Sequence, residues 1–256
     1  MNRAIYPILS GAVAQEKQLQ VFANNLANVN TAGFKQDQQG FRGLLARAGS
    51  PAVISSPMSG IPSTIASRPT GPTERVFVEP HGVRTAFEPG RIRITGNPLD
   101  LALQGKGFFE VKTSEGIRYT RNGMFSLDNQ RRLVTNVGHI VMGTKGELKV
   151  PPGTVQINAQ GTIEVDGKQI GTIKVVEFPD AQMPQKFTEG LFTGGSPKVT
   201  ADPQLQSGHI EESNVNSLGE MVKMIQGMRS YESAQKLIQT LDNMTQTAIQ
   251  DLGRVQ

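Results

Sequence analysis

The sequence predicts an α+β chain. Long α-helices at the N and C termini form a coiled-coil-like axial domain, and an all-β domain, a sandwich or rolled sheet, is inserted between them. Three observations predict this. Apolar residues recur at alternating steps of three and four near both ends. Between residues 76 and 180 the apolar period falls to two, with turn residues at short intervals. No helix-period segment interrupts that middle stretch, so the crossovers of a parallel α/β sheet are missing.

Residues 1–35 read as the N-terminal axial helix. Ile8, Ala12, Gln15, Leu19, Phe22, Leu26 and Val29 form one seam, with Gln15 its polar interruption. Pro7 is tolerated in a first turn, where its missing N–H costs nothing. Gly33 supplies a left-handed stop. A helix over residues 7–32 would be about 39 Å long. Its end carries Asn24, Asn25, Asn28 and Asn30. Asparagine weakens helices because its side chain competes for backbone partners, so the cluster needs another reason. Asn24, Asn25 and Asn28 share a flank beside Phe22, Leu26 and Val29, and a buried Asn can set register between chains at a cost in stability. We expect these residues and Leu19 to mediate subunit assembly. Asn30 and Thr31 stabilise the helix exit, and Phe34 docks as the apolar anchor after Gly33.

Residues 36–75 read as a linker or extended arm. From 46 onward they are rich in Ser, Pro, Gly, Ala and Thr and show no sustained period. Residues 76–208 form the β domain. Its strand candidates include "LDLAL", "GFFEVKT", "GIRYTRN", "HIVMG", "TIEVDG" and "TIKVVEF", and turns fall at Glu115-Gly116, Asp128-Asn129, Gln160-Gly161 and Asp166-Gly167. Residues 179–208 are loop-like in composition. The second axial helix belongs to 209–256. Ser217 and Glu220 fit a capping box, and Met221, Ile225, Met228, Tyr231, Ala234, Ile238, Leu241 and Thr245 continue as an apolar stripe towards Gly253. Two seams expose more apolar surface than one pairing covers, so further subunits are expected to supply the missing helices.

Chemistry is sparse. The chain has no cysteine, which excludes disulfides and thiolate catalysis. His81, His139 and His209 are isolated, so no metal site is expected. "GKGFFE" lacks the phosphate-loop spacing. Glu211-Glu212 read as carboxylates meeting the dipole of a nearby helix start. A net charge of +4 spread along the chain gives no nucleic-acid footprint, and no apolar run is long enough for membrane insertion. Neither a catalytic residue nor a cofactor is expected.

Three blocks carry a family resemblance: "ANNLANVNTAGFK", "GNPLDLALQGKGFFEVKTSEGIRYTRNGMFSLDNQRRLVTNVGHIVMG" and "ESNVNSLGEMVKMIQGMRSYESAQKLIQTLDNMTQTAI". Together they cover well over half the chain and resemble bacterial flagellar basal-body rod and hook proteins. The opening "MNRAIYPILSGA" and "RTAFEPGRIRITGNPLDLAL" look most like one of the rod types within the family, and a hook subunit would carry more β domain than this length allows. One departure is Gln130-Arg131-Arg132, where the family usually has a glycine, which implies a different turn.

The resemblance implies a structural subunit of a helical tube in the periplasm that transmits torque from motor to hook. Its terminal helices would form an inner layer and the β domain an outer one. The implied partners are further copies, other rod and hook proteins, and the type III export apparatus, through which the chain leaves without a cleaved signal peptide. The alternative is a secreted periplasmic β-rich binding module or hydrolase whose signal peptide is cleaved after Ala12-Val13-Ala14. A cytoplasmic coiled-coil adaptor is a further alternative.

Overall fold

The structure is a computed structural model and describes residues 5–47, 50–53, 75–188, 190–200 and 202–253. Helix α1 (Ile5–Ala27) is followed by β1 (Asp37–Arg47), β2 (Ser50–Val53), β3 (Arg75–Thr85), β4 (Ile92–Ile94) and β5 (Leu101–Gln104). Next come β6 (Phe108–Thr113), β7 (Gly116–Thr120), β8 (Phe125–Leu127), β9 (Leu133–Thr135), β10 (Ile140–Gly143) and β11 (Gly146–Glu147). Then follow β12 (Val155–Ile157), β13 (Thr162–Val165), β14 (Lys168–Thr172), β15 (Val175–Glu177), β16 (Gln185–Lys186) and β17 (Leu191–Thr193). The last elements are β18 (Lys198–Val199), β19 (Gln204–Ser207), β20 (His209–Glu211) and α2 (Ser217–Gly253). The fold is α+β, with a terminal helix at each end of a β-rich middle.

The chain divides into two compact units. The first comprises Met1–Asn24, Asp37–Arg84 and Leu218–Gln256. In it, β1 is the central strand of a three-stranded sheet in the order β2-β1-β3. The segment expected to be an arm therefore carries strand at its described ends. Its residues 54–74 lie outside the described residues.

Both helices bury a wider or shifted face than their apolar patterns suggest. Along α1, Ala12, Ala14 and Val21 are buried, while Leu19 and Phe22 are half-buried. Ala14 and Val21 each precede a seam residue by one, so the inward face extends onto the neighbouring flank. Along α2 the inward positions are Glu220, Met224, Gly227, Tyr231, Ala234, Ile238, Leu241 and Thr245, at alternating steps of four and three. Met221, Ile225 and Met228 each follow an inward residue by one, about 100° around the helix, and stay 45–53% exposed. The apolar pattern could not separate these two flanks, because Met and Ile lie on both sides of Gly227. At Gly227 a side chain would meet Leu19 at 2.9 Å and Phe22 at 3.8 Å, so the two helices touch where one of them has no Cβ.

The second unit comprises Asn25–Gln36 and Thr85–Ser217. Its largest sheet follows the order β16-β17-β7-β6-β10-β9-β8, with β11 on β10, β15 on β6 and β18 on β15. A separate β12-β13-β14 sheet is joined by the Asp166-Gly167 hairpin, whose residues have φ +50° and +79°. Phe109, Val111, Leu133, Val141, Val150 and Ile163 are fully buried in one core. A second, aromatic cluster packs Phe87, Phe108, Phe178 and Phe192 at 5.3–5.7 Å, with Phe108 edge-on to the other three and Phe87 tilted against Phe192.

Two strand pairs close this unit. β4 pairs with β20 (Ile94↔His209) and β5 with β19 (Leu101↔Ser207), so segments more than a hundred residues apart lie side by side. Residues 179–208, expected as loop, contain β16–β19, and 209–211, expected in the helical segment, form β20. These strands are two to four residues long and show too little alternation to stand out from loop. At the 128–132 turn, Arg131 takes φ +61° itself, so the left-handed slot expected of glycine is kept by a non-glycine residue. Its guanidinium compensates by donating to Val150 O (2.9 Å) and Pro151 O (2.7 Å).

Candidate assembly site at the asparagine-rich turn

Helix α1 ends at Ala27, before the expected stop at Gly33. The chain continues in tight turns. Asn28 N–H donates to Asn25 O (3.2 Å), Val29 N–H to Leu26 O (3.3 Å) and Thr31 N–H to Asn28 O (3.2 Å). Thr31 Oγ1 donates to Asn28 Oδ1 at 3.1 Å. Beyond Ala27 the main chain thus closes i→i+3 turns, and the Asn28 side chain adds a local partner for Thr31. Asn25 is fully buried, Leu26, Asn28, Val29 and Thr31 are half-buried, and Asn24 and Asn30 are exposed.

Gly33 has φ +69°, and its N–H donates to Glu211 O at 2.7 Å. A Cβ there would lie 2.3 Å from Arg121 C and 2.4 Å from Asn122 N. Glycine is therefore required both for the left-handed backbone and for the close approach of the 121–122 backbone. Phe34, 5% exposed, lies under the Lys186 ammonium, which is 3.6 Å from the ring centroid and donates to Lys35 O at 3.0 Å.

Next to Phe34 sits a buried charge cluster. Lys35 Nζ donates to Glu211 Oε1 (2.7 Å) and to Glu88 O (2.8 Å). Gly90 N–H donates to the same carboxylate oxygen at 2.9 Å, and Arg121 Nη1 reaches Glu211 Oε2 at 3.4 Å. Arg121 also donates to Gly105 O and stacks over Phe108, with its guanidinium carbon 5.4 Å from the ring centroid. The Lys35 and Glu211 side chains are 1% exposed and that of Arg121 is 4% exposed. Burial pushes the Lys35 ammonium below its usual range, and Glu211 pulls against it. Arg121 is lowered for the same reason, with Glu211 and Glu177 opposing.

Asn214 adds a second pin. Its Oδ1 accepts from Gln36 N–H (2.7 Å), and its Nδ2 donates to Ala86 O and Glu88 O (3.0 Å each). Beside these groups runs a groove of about 880 Å³, lined among others by Asn30, Arg91, Met124 and Val215.

Sequence reasoning missed Lys35, Arg121, Asn214 and the role of Glu211. Glu211 does not meet a helix dipole: it lies in β20, six residues before α2, and is buried against two cations. Ser217 is the first helical residue, and Glu220 accepts from Lys223 Nζ at 2.8 Å. Among the other expected assembly residues, Tyr231, Ile238 and Leu241 are half-buried.

Three family models match the chain. They are described as "Flagella basal body rod protein" over residues 5–35, "Flagellar hook protein FlgE/F/G D1 domain" over 102–165 and "Flagellar basal body rod FlgEFG protein C-terminal" over 206–251. The chain is 31% identical to the flagellar basal-body rod protein FlgF of Caulobacter vibrioides, with 100% of both chains covered. The chain belongs to the flagellar basal-body rod protein family.

Other relatives in this family are FlgF of Escherichia coli, at 32% identity over 95% of each chain, and FlgG of Bacillus subtilis, at 30% over 97% of this chain and 98% of the relative. As a rod protein the chain is a structural subunit of the basal body. The buried cluster takes one charge from each matched segment: Lys35, Arg121 and Glu211.

Proposed function

We propose that this rod protein assembles with copies of itself and with other rod and hook proteins into an open helical tube. The terminal helices form the inner layer in coiled-coil-like contacts. The observation that carries the reading is the second apolar face of α2. Leu218, Met221, Val222, Ile225 and Met228 are 45–71% exposed, on a face outside the inward stripe. On α1, Tyr6, Leu9 and Val13 are likewise 42–61% exposed. Apolar stripes on two elements of one unit suit helices of neighbouring subunits. Patches that join through a rotation that does not close generate a helix. Asn30, exposed in the turn that follows the buried Asn25, offers its amide to a neighbour. Of the two relative types, "MNRAIYPILSGA" and "RTAFEPGRIRITGNPLDLAL" favour the FlgF type.

The same reading holds that the chain is exported through the flagellar type III apparatus and keeps its N-terminus. It is supported by the continuity of α1 from Ile5 to Ala27, with Ala14 buried inside it. The test is the intact mass of this chain in purified hook–basal bodies. A full-length mass, allowing for loss of Met1, is expected there. A chain truncated near Ala14 and found free in the periplasm would overturn both the export route and the rod assembly.

A further inference from the structure

The buried cluster holds two cations and one carboxylate that bonds both. Lys35 and Glu211 are 176 residues apart and Arg121 and Glu211 are 90 apart. No local folding step can bring them together. A buried charge whose partner is missing is strongly unfavourable, and here each terminal segment needs the other. Lys35 on the N-terminal segment needs Glu211. The strand carrying Glu211 would otherwise bury a carboxylate opposite Arg121 alone.

The backbone repeats the same dependence. Gly33 N–H donates to Glu211 O at 2.7 Å, Gln36 N–H to Asn214 Oδ1 at 2.7 Å and Asn214 N–H to Phe34 O at 3.4 Å. Residues 33–36 and 211–214 therefore hold each other on the β body, and all lie in one compact unit.

We infer that Lys35, Arg121 and Glu211 form a two-ended lock, in which the asparagine-rich turn is fixed only once the C-terminal strand β20 lies beside it. These three are positioning residues: they hold the turn, and the turn presents Asn30. The inference deepens the assembly reading, because a chain delivered end-first would keep its N-terminal segment undocked until its C-terminal segment arrived. The lock itself makes no reference to a partner, so it can fail or hold independently of rod assembly.

Glu211 is the shared anion, which makes the lock asymmetric. Glu211→Gln leaves the buried Lys35 without its carboxylate and Arg121 with only Glu177 to oppose its charge, whereas Lys35→Met leaves the Arg121–Glu211 pair matched. The experiment is hydrogen–deuterium exchange on the full-length protein. It compares amides of 33–36 and 209–214 with those of β6. Glu211→Gln is expected to speed exchange at both terminal segments by about tenfold or more, the scale of a lost buried charged hydrogen bond, with β6 unchanged. Lys35→Met is expected to loosen 209–214 by a smaller factor, although it lies at the other end of the chain, because coupling is reciprocal. The double variant Lys35→Met/Glu211→Gln is expected to exchange more slowly than Glu211→Gln alone.

The inference is overturned if Glu211→Gln affects one segment only, if it loosens β6 equally, or if the double variant shows no rescue. Should Glu211→Gln not fold, Lys35→Met decides: unchanged exchange at 209–214 refutes the lock.

Discussion

Replacing Gly33 with alanine tests the core of this description. Two penalties are readable from the structure. The first is conformational: φ is +69°, and a left-handed backbone costs an L-residue about 1–2 kcal/mol. The second is steric. The new Cβ would lie 2.3 Å from Arg121 C, 2.4 Å from Asn122 N and 2.5 Å from Arg121 O. These are backbone atoms and cannot rotate away, so the turn must move by ~1 Å to restore van der Waals contact. That shift breaks the 2.7 Å bond from Gly33 N–H to Glu211 O, worth about 1 kcal/mol. It also strains the Lys35–Glu211 bond next door, and hydrogen bonds to charged groups are worth about 1.5–3 kcal/mol. The expected loss is about 4 kcal/mol, a large part of a typical domain's 5–15 kcal/mol.

Gly96 is the control. It lies in the same compact unit with φ +76° and has nothing within 4 Å of a built Cβ, so Gly96→Ala carries the conformational penalty alone. Urea unfolding followed by far-UV circular dichroism suits a chain with no Trp and three Tyr. Equal destabilisation by the two substitutions would refute the close-approach argument and leave Gly33 as an ordinary turn glycine.

Three further outcomes are expected. Phe109, fully buried and 5.0 Å from Phe125, is expected to lose about 3–5 kcal/mol of stability as Phe109→Ala in the same urea experiment, and a loss below ~1 kcal/mol would mean that the site collapses around the void. Asp128 accepts from the Arg132 N–H first, and also from the Arg132 side chain and Gln130 N–H, which hold its carboxyl below the ordinary range. A depressed folded value means that its contribution is present above the ordinary value of about 3.9 and is lost as pH falls through the folded one. The gap in thermal midpoint between wild type and Asp128→Asn should therefore be constant near neutrality and shrink in acid, and a gap unchanged down to about pH 2 would contradict this. Finally, Ile225→Asp and Asn30→Ala change exposed positions, so each should leave the circular dichroism and urea midpoint within about 0.5 kcal/mol of wild type. Both should reduce motility and the recovery of this chain in hook–basal bodies, and full motility of either variant would remove those residues from the proposed contacts.

Local signals carried most of the secondary structure. Pro7 and the seam through Leu19 and Phe22 marked α1, because helix-start and helix-face signals act over a few residues, and Gly33 marked the left-handed turn beyond it rather than its stop at Ala27. Asp166-Gly167 marked its hairpin for the same reason. The end of α1 was legible only in part. The asparagines were visible, but the helix stop at Ala27 and the turns over 28–34 were not. The short strands β16–β20 left no readable alternation, since two to four residues held by neighbours need no pattern of their own.

The charge cluster marks the boundary between the two kinds of information. From sequence alone came the class of fold, the order of its parts, the family resemblance and the need for glycine at position 33. The resemblance rests on three blocks that look like known family segments, and the others follow from composition, period or a local backbone requirement. Only the tertiary structure decided that Lys35, Arg121 and Glu211 share one buried site, and that Met221, Ile225 and Met228 face outward while Met224, Gly227 and Tyr231 face in. Burial and ion pairing belong to the surroundings of a residue, and those surroundings come from segments up to 176 positions away.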